Sequence, residues 1–127
     1  MTESAPQAGA LLLDRLHKEG LTARKGQDPN SGTWIGVQCK DGTSIAIHAS
    51  TTDGQDVSVD HAVPEHRSWL VTASDPATHQ DRVIFDCHGY PLPFDTDTGL
   101  VVRIVAALAG EHGGCLTEEE LDTADLP

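Results

Sequence analysis

Thr33 to Ala49 alternates apolar and polar residues on both sides of Lys40-Asp41-Gly42, and this stretch limits the fold more than any other. A two-residue Asp-Gly turn would pair Cys39 with Ser44 and mix apolar with polar side chains on each face. A three-residue loop with Gly42 in the left-handed bulge position pairs Cys39 with Thr43 instead. Ile35, Val37, Cys39, Ile45 and Ile47 then share one face, and Trp34, Gly36, Gln38, Ser44, Ala46 and His48 share the other. A one-residue slip would exchange whole sets of side chains between the faces. The clean segregation selects the three-residue loop.

An apolar sheet face needs a cover, and two amphipathic segments offer one. The first predicts a helix from Ala5 to Glu19, with Ser4 as N-cap, Pro6 in the first turn and an apolar stripe of Leu12, Leu13 and Leu16. Gly20 falls where a left-handed residue ends a helix, which places Leu21 against Leu16. The second predicts a helix from Asp97 or Thr98 to about Gly110, with Leu100, Val101, Ile104, Val105 and Leu108 facing the core. Asp95 and Asp97 stand at its positive end.

Between these lie further strands. A short one is expected at Thr22–Lys25, followed by a turn over Gln27–Gly32. Others are expected at Asp56–Asp60 (Val57 and Val59 inward), at Ser68–Ser74 with Trp69 in the core, and at Gln80–Cys87. In the last, Val83, Phe85 and Cys87 alternate with Arg82, Ile84 and Asp86. Short connections imply antiparallel pairing. The expected class is α+β: an N-terminal helix, a four- to five-stranded mainly antiparallel sheet, and a C-terminal helix packed on one sheet face. Residues 1–116 form a single domain in this reading. Residues 117–127 form an acidic tail in which Thr117 and Glu120 give a capping-box pattern.

Charge narrows the partners. The 127 residues carry twenty Asp and Glu against eight Lys and Arg, a net charge of −12. Sequence-independent binding to nucleic acid needs the opposite balance, so no nucleic-acid partner is expected. No apolar run approaches the roughly 20 residues that span a bilayer, and the first residues lack the pattern of a secretory signal. Neither membrane nor export is expected. Three cysteines without paired spacing read as reduced thiols in a cytoplasmic protein, with Cys39–Cys87 a minor disulfide alternative. The lean toward Arg, Ala, Gly, Asp and Thr matches GC-rich bacterial genomes.

The search for chemistry starts at Asp95-Thr96-Asp97-Thr98. This Asp-x-Asp-x-Thr run resembles the nucleophile motif of haloacid dehalogenase-type phosphatases, which would make Asp95 the nucleophile and Asp97 the acid/base. The match covers about six residues. Pro91 and Pro93 precede it where that family has a buried strand, and too little chain follows for the remaining acidic ligands. Helix-end carboxylates are the simpler reading. A calcium loop there lacks a third oxygen ligand and a terminal Glu. No C-x-x-C or helical H-x-x-x-H spacing supports a metal, although His61, Glu65 and His66 share a loop. A Cys-His nucleophilic pair from Cys39 or Cys87 with His48 fails because the register turns Cys39 and His48 to opposite faces. No Gly-x-Ser-x-Gly, Walker A or Gly-x-Gly-x-x-Gly pattern occurs.

No catalytic, metal or cofactor-binding residues are therefore assigned. What remains is the Trp34 face, where an indole beside Gln38 and His48 has the composition of a binding hot spot if exposed, the alternative being that a second helix or a loop covers the face and makes Trp34 core. The architecture is similar to that of small acidic bacterial chaperones and immunity proteins. The expected function is a cytoplasmic interaction protein (adaptor-, chaperone- or immunity-like) that binds another protein with a basic surface, or its own copy, through Trp34, Gln38 and His48. The alternative is a small-ligand or cation module using the loops around 61–66 and 90–97.

Overall fold

A computed structural model of the chain describes residues 7–28, 32–51, 59, 66–78, 80–86, 92–117 and 119. Helix α1 (Ala8–Lys18) precedes strands β1 (Ala23–Asp28), β2 (Gly32–Gln38), β3 (Ser44–Thr51), β4 (His66–Ser74) and β5 (Asp81–Asp86), and α2 (Phe94–Glu111) follows them. The sheet order is β1-β2-β3-β4-β5, each strand antiparallel to its neighbour in sequence. The α+β class follows directly.

The central hairpin has the register that segregation demands. Ile35 pairs with Ile47 and Val37 with Ile45. Cys39 N–H donates to Thr43 O at 2.8 Å and Gly42 N–H to Cys39 O at 3.1 Å. Gly42 has φ +98°, a conformation in which a Cβ would be strained. Both helices lie on the Ile35 face. Leu12 and Leu16 of α1 and Val101 and Val105 of α2 join Ile35, Ile45, Ile47, Trp69 and Val71 in one buried cluster. Burial of each such side chain contributes roughly 1.5–3 kcal/mol, so this single layer of contact carries most of the stability.

Helix α1 ends as its sequence predicts. Leu21 N–H donates to Leu16 O and Gly20 N–H to His17 O, both at 3.0 Å, the paired bonds of a Schellman motif. Its start differs from the expectation at Ala5: the helix begins at Ala8 with Gln7 at the N-cap and no side-chain cap. Ser4 and Pro6 lie outside the described residues. Gly9 N–H instead donates to Val59 O at 2.8 Å, while Val59 N–H donates to Thr33 O at 2.8 Å. Val59 is buried, as expected; the rest of the Asp56–Asp60 strand, Val57 included, lies outside the described residues.

Two boundaries, one helix face and one strand register depart from local signals. Strand β1 runs on to Asp28 because Gln27 pairs with Thr33 and Asp28 with Gly32, so residues expected to turn are strand. Helix α2 begins at Phe94, with Pro93 as N-cap, three residues before the predicted start. Its buried face comprises Asp97, Thr98, Val101, Val102, Val105, Leu108 and Ala109, while Leu100 and Ile104 are only partly buried. The face is rotated from the purely apolar stripe because two polar residues find partners in β4. In β5 a register shift between Val71 and Thr72 breaks the expected alternation of Val83 and Phe85. Phe85 packs against the core, whereas Val83 is 64 % exposed.

Beyond α2 the chain returns to the sheet. Lys40 N–H donates to Gly114 O at 2.9 Å and Leu116 N–H to Gln38 O at 2.8 Å. Residues 114–116 thus extend the line of β1 along the edge of β2, with Cys115 facing Cys39.

Candidate functional site

The alternation that sends Ile35 and Val37 into the core sends Trp34, Gly36 and Gln38 to the opposite side, with Ser44, Ala46 and His48 of β3 and Thr72 of β4 beside them. Among the described residues no helix lies over this face. It forms a shallow trough of about 300 Å³ lined by Arg24, Trp34, Gln38, Ala46, His48 and Thr72 among others. Lys25 and Asp81 also line it. The three residues singled out in the sequence, Trp34, Gln38 and His48, therefore share one concavity.

Two glycines shape it. A Cβ built on Gly26 or on Gly36 would come within 2.5 Å of the Trp34 ring. The indole accordingly lies flat across the neighbouring backbone and is half-buried, rather than standing upright in solvent. Glycine inside a strand costs up to about 1 kcal/mol relative to alanine. Here it gives room for a flat aromatic floor. The His48 ring stacks beside the indole, with centroids 6.4 Å apart and planes inclined by 28°, inside the usual range for aromatic pairs. Gln38 is committed locally: its Nε2 donates to Gly42 O at 3.1 Å and its Oε1 accepts from Ser44 Oγ at 2.7 Å. It braces the hairpin end of the trough, leaving Trp34 and His48 as the aromatic surface.

The carboxylates of the Asp-x-Asp run diverge. Asp97 is fully buried and its Oδ2 accepts from the Trp69 N–H at 3.0 Å. Asp95 is exposed, and its backbone carbonyl accepts from Arg15 Nη1 at 3.5 Å. Both lie in the first turn of α2, as the helix-end reading expects, although the N-cap is Pro93 and no side chain caps the helix; Asp97 is in addition a strut between α2 and β4. Cys39 is buried on the face opposite His48, as the register implies. Cys87, His61 and Glu65 lie outside the described residues, as do residues 90 and 91 of the second loop. No group of three metal-ligating side chains occurs among the described residues.

One polar cluster carried no sequence signal. His112, just past α2, places Nδ1 2.6 Å from Asp41 Oδ2 and 3.3 Å from Thr43 Oγ1. An acid, an imidazole and a hydroxyl suggest a proton relay. Both partners meet the same ring nitrogen, however, so the imidazole cannot pass a proton from one side to the other. The cluster instead fastens the hairpin tip to the end of α2. The Thr43 N–H, donating to Asp41 Oδ1 at 2.9 Å, together with His112 holds the Asp41 carboxyl below its ordinary value of 3.8. The folded chain then holds fewer protons at Asp41 than the unfolded chain does. Its contribution to stability is present above pH 3.8 and is lost as pH falls through the lowered value. Acid unfolding of Asp41→Asn should be less steep over that window. An unaltered acid limb would refute the assignment.

No protein family, curated protein or solved structure matches the chain. No helix among the described residues is long and apolar enough to cross a membrane.

Proposed function

We propose that the chain is a non-enzymatic protein-binding module, working in the cytoplasm, that seats a partner protein on the open sheet face around Trp34 and His48. The observation that carries this reading is the flat indole held over Gly26 and Gly36 in a trough that no helix among the described residues covers. An aromatic surface flanked by polar residues is the usual form of a binding hot spot. The net charge of −12 gives the partner its chemistry. A basic rim around an aromatic or aliphatic anchor would be steered in by the field and held by the trough.

Partners captured from the native host, once purified, provide the test by direct titration. Trp34→Ala should weaken the purified complex by about 30-fold or more, the equivalent of a 2 kcal/mol hot spot. The same change should cost the free protein no more than about 2 kcal/mol, because the ring is only half-buried. Gly36→Leu, which forces the indole off its seat, should weaken the complex similarly. Affinity should also fall with added salt. Undiminished affinity in both variants would refute the reading, and scattering from a dimer closed over Trp34 would replace the foreign partner with a second copy.

A further inference from the structure

The geometry points to Cys39 and Cys115 as a modification site, a dithiol that an oxidant of the peroxide class converts to a disulfide joining the end of α2 to the sheet. This goes beyond the binding reading and does not depend on it. The two residues form an antiparallel bridge. Its flanking bonds run from Leu116 N–H to Gln38 O and from Lys40 N–H to Gly114 O. That is the non-hydrogen-bonded type of pair, in which Cα atoms lie about 4.5 Å apart and side chains approach most closely. Disulfides span Cα separations of roughly 4.4–6.8 Å, so the backbone already has the required spacing. Both thiols are free. Cross-strand partners also project to the same face of the sheet, and the Cys39 thiol feels the charge of Cys115.

The two thiols differ in access. Cys39 is 1 % exposed. Burial, reinforced by the Asp41 carboxylate and by Cys115 itself, pushes its thiol up to about 11. Cys115 is partly exposed, and its sulfur accepts from the Thr22 N–H at 3.5 Å. Cys115 therefore meets the oxidant first. Its thiolate attacks hydrogen peroxide: an S–O bond forms, the O–O bond breaks, and hydroxide leaves to take up a proton. Cys39 sulfur then attacks the resulting sulfenic sulfur. The S–S bond forms, the S–O bond breaks, and the Cys39 proton leaves with the departing hydroxyl as water. Two thiols and one peroxide become one disulfide and two waters.

The bond would close a loop of more than half the chain and clamp residues 114–116 against β2. In a reducing compartment such a bond is transient, the behaviour of a redox sensor. The full-length protein treated with hydrogen peroxide, alkylated and digested should yield a Cys39–Cys115 linked peptide with two hydrogens lost. The melting temperature should rise by about 15 °C, as expected for closing a loop of this length, and return on reduction. Cys87→Ser should keep both effects and Cys115→Ser should lose both. A Cys39–Cys87 link, an intermolecular bond, or Cys115 oxidised to sulfinic acid beside a reduced Cys39 would overturn the assignment.

Discussion

Trp69→Ala should lower the stability of this protein by about 3–5 kcal/mol, the range for removing a fully buried large aromatic. Trp69 is the largest fully buried side chain, at 0 % exposure in the centre of β4. Its ring meets Phe94 with centroids 6.3 Å apart and planes at 57°, and its Nε1 donates to Thr98 Oγ1 at 3.0 Å. Alanine there removes the largest side chain from the contact between sheet and α2 and leaves a cavity in the core. Domains of this size have roughly 5–15 kcal/mol in total, so the variant should unfold at much lower urea. Trp69→Phe keeps most of the volume and gives up one buried hydrogen bond, and should fall between alanine and wild type. Urea unfolding of the three proteins checks the order. A Trp69→Ala loss no greater than that of Trp34→Ala would mean that β4 and α2 are not packed as described.

The second large effect is expected at Asp97. Its Oδ2 accepts from the Trp69 N–H, a contact 28 residues apart in sequence and shielded from water. Asp97→Ala removes that acceptor from a buried backbone donor, which costs about 1–3 kcal/mol. Asp97→Asn keeps an acceptor oxygen and should recover part of the loss. Because Asp97 and Thr98 hold the same tryptophan, the effects of Asp97→Ala and Trp69→Phe should not add. Wild-type stability in Asp97→Ala would show that the carboxylate is not a strut and would reopen the question of what it does.

Much of the fold is legible residue by residue. Period-two alternation sorted Ile35, Val37, Ile45 and Ile47 from Trp34, Gln38 and His48, and that segregation selected the three-residue loop over Lys40-Asp41-Gly42 and with it the register. Gly20 and Leu21 marked the end of α1 because the Schellman bonds depend only on residues within one turn. The trough was legible as a face and a set of side chains. Its shape was not, since the flat seat of Trp34 requires Gly26, which is brought opposite Trp34 only by strand pairing.

Errors fell where distant partners overrule local preference. The predicted start at Asp97 or Thr98 left Pro93 outside the helix, yet Pro93 with its fixed backbone serves as the N-cap of α2. Asp97 and Thr98 marked only a helix start in the sequence, yet both are buried against Trp69. The bulge in β5 and the Asp41–His112 contact have no short-range signature at all.

Elements whose hydrogen bonds and apolar faces close within a hairpin or a helical turn were determined by the amino-acid order alone, because the partners are neighbours in the chain. The tertiary structure alone decided which polar groups enter the core and which thiols meet. Asp97 becomes a buried strut because β4 offers it an N–H. Cys115 faces Cys39 because the chain leaving α2 takes the line vacated by β1. Such pairings depend on where separate elements come to rest, and the energy of burying a polar group is set by the partner it finds there.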